Sequence, residues 1–216
     1  MGDLYYVPIS SPCRLVQMTA AALNIKLNLI EIDPYRKEHL RPSFLKLNPH
    51  HTVPVLVDGD FVLYESRPIC IYLIEKYSKD DSLYPRDPKR RAIVNQRLYF
   101  DMATLFQRFA EYYYPQVLKK LPADKERLKS FEEAMKILEL FLDKQKFVAH
   151  TDKMTIADIS IAATINTCEL GGYNLSRYPN IFKWYTMMKT ICPGWSVNLK
   201  AAGMMKHYTT KISYDL

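Results

Sequence analysis

The sequence predicts an α/β unit followed by an all-helical unit, and three observations carry that prediction. Short apolar runs suited to strands end with Phe61-Val62-Leu63-Tyr64. A polar, proline-punctuated stretch from Ser78 to Pro88 then interrupts the chain. Beyond it, apolar residues recur at three- and four-residue spacing, the period of a helix. These patterns place the units at 1–78 and 89–216, with a linker over 79–88.

Each element follows from its residues. Leu4 to Val7 is strand-like. Ser10-Ser11-Pro12 offers helix N-cap and first-turn residues ahead of a helical run ending at Leu23. Leu27 to Ile32 alternates as a second strand, so the first elements read βαβ with a parallel pair. Asp33 to Arg41 reads as loop, and Pro42 to Leu47 as a short helix closed by Asn48-Pro49. Thr52 to Val57 and Phe61 to Tyr64 flank Asp58-Gly59, a two-residue hairpin signal. Glu65-Ser66-Arg67-Pro68 starts a helix that Ile69 to Tyr77 continues, giving ββα.

In the second unit, Pro88 to Tyr114 carries Leu98, Met102, Leu105, Phe109 and Tyr113 on one face. Tyr99, Phe106, Ala110 and Tyr114 form an adjoining aromatic face. Leu128 to Phe147 is a second amphipathic helix. Thr155-Ile156-Ala157-Asp158 resembles a capping box, with Met154 and Ile159 placed as a hydrophobic staple. The run that follows, to Leu170, is apolar nearly all round and should be the buried centre. Tyr178 to Ile191 is a further helix, ended by Pro193-Gly194.

Composition bounds the function. In 216 residues, 48% apolar and 25% charged content is ordinary for a globular protein. No run approaches the roughly 20 apolar residues that span a bilayer. The N-terminus lacks a signal-peptide pattern, and Tyr6 stands where a myristoylation motif wants Ser or Thr. Cys13, Cys70, Cys168 and Cys192 show no metal-ligand or CxxC spacing, so we expect reduced thiols, a cytoplasmic protein and no metal. The net charge of +7 is spread among 23 acidic residues without a nucleic-acid reader motif, so it reads as solvated helix faces. No nucleic-acid or membrane partner is expected.

The chemistry centres on Ser10. A hydroxyl at a strand tip, facing the unpaired N–H groups of a helix N-terminus, is a place to hold an anion. We read that anion as a thiolate. A free thiol of pKa near 8.5 is only about 3% ionised at pH 7, and lowering that pKa to about 6.5 needs roughly 2.7 kcal/mol. One charge-assisted hydrogen bond contributes on the order of 1.5–3 kcal/mol, and a helix N-terminus about 0.3–1. The serine therefore need not ionise.

Taken together, the motifs resemble those of a cytosolic glutathione S-transferase, and most of all the arthropod delta class. They are Tyr-Tyr-x-Pro-x-Ser-x-Pro-Cys-Arg (5–14), Asn-Pro-His-His-Thr-Val-Pro (48–54), Glu-Ser-Arg (65–67), Ser-Leu-Tyr-Pro (82–85), Leu-Tyr-Phe-Asp-Met (98–102) and Thr-Ile-Ala-Asp (155–158). The similarity covers essentially the whole chain. It implies a thioredoxin-like N-terminal domain for glutathione, an all-helical domain for a hydrophobic electrophile, and a homodimer. Glutathione would be a cosubstrate, with no permanently bound cofactor. Conjugation, or dehydrohalogenation with glutathione as base, would serve detoxification.

Carried over by position, Ser10 matches the catalytic serine and Ser11 its small neighbour. Ser66 would take the γ-glutamyl carboxylate, Glu65 the ammonium, and Arg67 would add positive charge. Val53 and Pro54, read as a cis peptide, would pair with the cysteinyl part, while His39 and His51 lie near the glycyl carboxylate. Val7, Pro12, Phe106, Phe109, Tyr113, Tyr114 and Tyr208 would line the electrophile site. Two positions depart from the family: Ile9 stands where glycine is usual, bearing on thiol approach and substrate preference. His150 stands where glycine is common in the turn before the buried helix, which bears on stability.

Two other readings use the same residues. Ser10-Ser11-Pro12-Cys13 overlays a C-x-x-C motif, but a serine at the attacking position cannot form the mixed disulfide of a thiol–disulfide oxidoreductase. A non-catalytic carrier or structural protein would not need an intact Ser10 and Glu65-Ser66-Arg67.

Overall fold

The computed structural model describes residues 2–212, and side chains through residue 204. Strand β1 (Asp3–Tyr6), helix α1 (Ser11–Ala22) and strand β2 (Asn28–Glu31) form the βαβ unit, with Leu4 paired in parallel to Leu29. Strands β3 (Val55–Asp58) and β4 (Phe61–Tyr64) form an antiparallel hairpin, and β3 pairs antiparallel with β1. The sheet order is β2-β1-β3-β4. The hairpin turns at Gly59-Asp60, one residue beyond the expected Asp58-Gly59 pair. Gly59 takes φ +67°, and Asp58 stays in the ladder opposite Phe61. The Asp58 carboxylate accepts from the Tyr72 hydroxyl at 2.8 Å and the Lys76 ammonium at 2.5 Å.

Alternation across the pleat divides the packing between the two faces of the sheet. Leu4 and Leu56 enter the main core with Leu15, Met18, Ile69 and Leu73 from α1 and α3 (Ser66–Tyr77). Tyr5 and Val55 face a smaller cluster with Val7, Ile32 and Phe44, the last carried by α2 (Pro42–Leu45).

The second unit consists of helices α4 (Pro88–Phe100), α5 (Gln107–Lys119), α6 (Lys125–Phe141), α7 (Ile156–Leu170), α8 (Pro179–Ile191) and α9 (Ser196–Ile212). Helix α7 is the expected centre: every residue from Ile156 to Cys168 is buried. Its capping box is formed, with the Asp158 carboxylate accepting from the Thr155 N–H and, at its other oxygen, from the Val148 N–H, each at 2.9 Å. Burial nevertheless raises the Asp158 pKa above the usual carboxylate value.

Three helical expectations change. A π-helical segment, Asp101–Phe106, joins α4 to α5. Asp101, three residues after Leu98, is the buried position, while Met102, expected inside, is 40% exposed. Pro115 does not end α5, which runs on to Lys119 before Lys120 takes a left-handed conformation. Helix α6 stops at Phe141, and Phe147 is buried in a turn instead of a helix. Helix α9 was not foreseen, because its lysines and Gly203 blur any apolar period.

Candidate active site

The register of the sheet assembles the polar half of the site. Tyr5 is opposite Val55, and Val55 is opposite Tyr64. The carboxyl ends of β1 and β4 and the amino end of β3 therefore share one edge. Val53-Pro54 and Glu65-Ser66 adjoin those strand ends directly and Ser10 follows the end of β1 after a three-residue turn, so residues more than 50 positions apart in sequence come to one rim.

Ser10 is the N-cap of α1, with φ −70° and ψ 118°. Its Oγ accepts from the Cys13 N–H at 3.4 Å, and its hydroxyl is within hydrogen-bond reach of the Cys13 thiol. Pro12 occupies the first turn of α1, where its missing N–H leaves no gap in the helix. No acidic residue lies in that turn to oppose an anion. Cys13 is fully buried, its thiol beside the Ser10 hydroxyl and the Val7 backbone, and burial pushes that thiol up to about 11. It is neither ionised at neutral pH nor reachable, which removes the disulfide-exchange reading.

Beneath the helix start, the Arg14 guanidinium is enclosed by neutral groups. It donates to Asn166 Oδ1, to Thr167 Oγ1 at 2.5 Å and to Asn198 Oδ1 at 2.5 Å. Burial lowers its pKa to about 10, so it remains charged at neutral pH. This fixed cation and the helix N-terminus both favour negative charge at Ser10. Arg14 also ties α1 to α7 and α9.

On the adjoining rim, Glu65 is exposed and holds φ +72°, a conformation that costs a non-glycine residue on the order of 1–3 kcal/mol. Ser66 is buried at the first turn of α3. Arg67 donates to Ser66 Oγ at 3.2 Å and to Asp101 Oδ2 at 2.5 Å. The same Asp101 oxygen accepts from the Ser160 hydroxyl at 2.5 Å. Asp101 is thus a site-supporting residue that periodicity missed; the only signal was its place in the 98–102 motif. The His39 and His51 rings lie 6.3 Å apart, with His51 at φ +48°. Val53–Pro54 is cis.

A cavity of about 310 Å³ opens above Ser10. Val7, Ile9, Ser10, Ser11, Pro12, Pro34, Tyr35 and Val53 form one side; Phe106, Tyr113, Tyr114, Val117, Leu118 and Thr167 form the other. Val7, Pro12, Phe106, Tyr113 and Tyr114, expected at the electrophile site, come together in the lining of this cavity. Phe109 does not join them: only 1% exposed, it stacks behind Tyr113 at 5.0 Å and packs on Phe131 at 5.4 Å. It is core that supports the wall. The Tyr208 side chain lies outside the described residues. Desolvation raises the Tyr113 and Tyr114 phenols, keeping both neutral. Among the described residues, the cavity lining has no ionised side chain.

This architecture, a thioredoxin-like α/β unit with an appended helical unit, is that of the glutathione-using transferases. Residues 4–81 match the family model "Glutathione S-transferase, N-terminal domain", and residues 91–190 match "Glutathione S-transferase, C-terminal domain". A Nilaparvata lugens delta-class glutathione transferase is 47% identical, with a TM-score of 0.93 over 98% of this chain and 100% of that one. A Bombyx mori glutathione transferase is 42% identical, with a TM-score of 0.92 over 96% and 97% of the two chains. A glutathione transferase homologue from Drosophila mojavensis, solved with bound glutathione, is 31% identical, with a TM-score of 0.88 over 98% and 96%. The chain belongs to the glutathione S-transferase family. It is an enzyme of that family, similar to the insect delta class, with glutathione as the family's cosubstrate. Among the described residues no helix is long and apolar enough to cross a membrane.

Proposed function

We propose that this enzyme binds glutathione along the sheet rim, ionises its thiol through Ser10, and directs the thiolate at a neutral, apolar electrophile held in the cavity. The reaction is conjugation, or elimination of HCl with the thiolate as base, in a detoxifying role. The observation that carries the reading is the Ser10 N-cap lining the cavity: its oxygen is engaged by the Cys13 N–H, and its hydroxyl can turn from the un-ionised Cys13 thiol to donate to a thiolate at the cavity floor. The Arg14 cation adds to the preference for the anion.

The rest of the rim suits a tripeptide with two carboxylates and one ammonium. Ser66 offers a hydroxyl and the first-turn N–H groups of α3 to the γ-glutamyl carboxylate. Arg67 orients it, Glu65 pairs with the ammonium, the Val53 backbone meets the cysteinyl part, and His39 and His51 serve the glycyl end. Phe106, Tyr113 and Tyr114, with Val7 and Pro12, hold the electrophile.

The homodimer has its own support. A groove of about 420 Å³ runs past Glu65, Arg67 and Pro68 to Leu98, Tyr99 and Met102, and Tyr99 is 67% exposed. A second copy covering this apolar groove would also close the outer side of the glutathione rim. A sedimentation mass of one chain at micromolar concentration would exclude it. The four cysteines, all free and buried, suit a reducing, cytoplasmic setting.

The test is Ser10→Ala. We expect kcat/KM with a chloronitrobenzene to fall at least tenfold at pH 6.5, while glutathione still binds. In the wild type, the ultraviolet thiolate band of the complex should titrate near 6.5, so the rate climbs with pH up to that point and then levels. In the variant the inflection should move to about 8.5, the value of an unassisted thiol. Matching near-background rates for both proteins would return the carrier reading.

A further inference from the structure

We propose that Ile9 sets the size of electrophile this enzyme accepts, limiting it to slim, neutral molecules unbranched beside the reacting carbon. The inference rests on the catalytic reading above and deepens it.

Ile9 is the residue before Ser10 and lines the same cavity. Its backbone is held in a turn closed by the Ser10 N–H donating to the Val7 carbonyl at 3.1 Å. Ile9 is absent from the residues with positive φ, so the turn demands neither glycine nor any other particular side chain. The isoleucine there answers to what surrounds it.

On one side it packs against the cluster of Val7, Ile32, Phe44 and Val55. A β-branched side chain restricted at χ1 and backed by buried neighbours cannot swing away to admit a larger ligand. Its remaining surface projects into a cavity of about 310 Å³. That is the small end of the range for ligand pockets, roughly 300–1,000 Å³, so a few methyl groups change what fits. Position sharpens the effect. Phe106, Tyr113 and Tyr114 stand across the cavity on the helical wall, whereas Ile9 adjoins the hydroxyl that would hold the sulfur. Bulk beside the reacting carbon would meet Ile9 first. The lack of ionised side chains among the described lining residues disfavours charged electrophiles independently of size.

The experiment compares kcat/KM for a planar chloronitrobenzene and for its analogue bearing a tert-butyl group beside the leaving chlorine, in the wild type, Ile9→Val and Ile9→Ala. Removing one methylene from a hydrophobic pocket shifts discrimination by about tenfold or more when fully expressed. We expect the branched-to-planar ratio to rise about tenfold in Ile9→Ala and about threefold in Ile9→Val, a conservative change that keeps the turn. The KM for glutathione should stay within about twofold. Equal loss on both electrophiles would make Ile9 only a support for Ser10 and overturn the proposal. An unchanged ratio in Ile9→Val and Ile9→Ala would do the same. Displacement of a bound hydrophobic fluorophore by the two electrophiles, without glutathione, gives the same ratio independently of turnover. A Ser10→Ala variant as active as wild type would sink the thiolate mechanism while leaving that binding ratio, and this proposal, standing.

Discussion

The two sides of the cavity are built by different means. The α/β rim is polar and directional, and it carries distorted backbone: Glu65 at φ +72°, His51 at φ +48°, and Lys37 at φ +54° just before the turn that bears His39. The helical wall is aromatic and, among the described residues, carries no ion pair on its cavity face; it is shaped by stacking, as in Tyr113 on Phe109 and Tyr113 against Tyr114 at 5.8 Å. A charged tripeptide needs donors and acceptors at fixed positions, and strained backbone persists where its surroundings over-determine it. An apolar partner needs only volume and low polarity, which many side chains supply. Under the proposed function, the contrast teaches that one substrate would be recognised by geometry and the other by space.

The sharpest way to break that contrast is Asp101→Ala. It strips the acceptor from the enclosed Arg67 guanidinium and from Ser160. Leaving such a charge unpaired should destabilise the fold by about 3–5 kcal/mol. Urea denaturation would read this, and the KM for glutathione should rise several-fold as Ser66 loses its oriented neighbour. Unchanged stability would mean that the rim is not held by this network.

A second test separates two residues that share one helical run. Phe109→Ala should cost about 3–5 kcal/mol as a core truncation. Phe106→Ala, at a half-buried cavity position, should cost less than about 1.5 kcal/mol and instead raise the KM for the electrophile. Equal stability losses for both would erase the distinction between wall and core. The smallest effect expected is at His150, exposed and at φ +57° in the turn before α7. His150→Gly relieves the left-handed strain and should stabilise by about 1 kcal/mol, or about 2–4 °C in Tm. A lower Tm would show that the side chain contributes more than the strain removes.

Local signals account for the parts of the site that were legible. Ser10-Ser11-Pro12 announced a helix start with a free hydroxyl, and Thr155 to Asp158 announced the cap of the central helix, because capping chemistry is settled within four residues. The face of the long helix was not legible. A four-residue step from Leu98 puts Met102 inside, whereas the chain buries Asp101 at the three-residue step, where Arg67 and Ser160 donate to its carboxylate. Phe109 and Phe106 are equally aromatic, and only the neighbours Phe131 and Tyr113 make the first one core.

What the sequence determined by itself was therefore the order of strands and helices, the unit carrying each motif and the serine at the first helix start. These depend on periodicity and on residues a few positions apart. Tertiary structure alone decided that Arg67 leans on an aspartate 34 positions away, that Arg14 is buried among neutral groups of α7 and α9, and that Ile9 fills the cavity beside Ser10. Such contacts join distant segments through packing, and no local pattern in the chain records them.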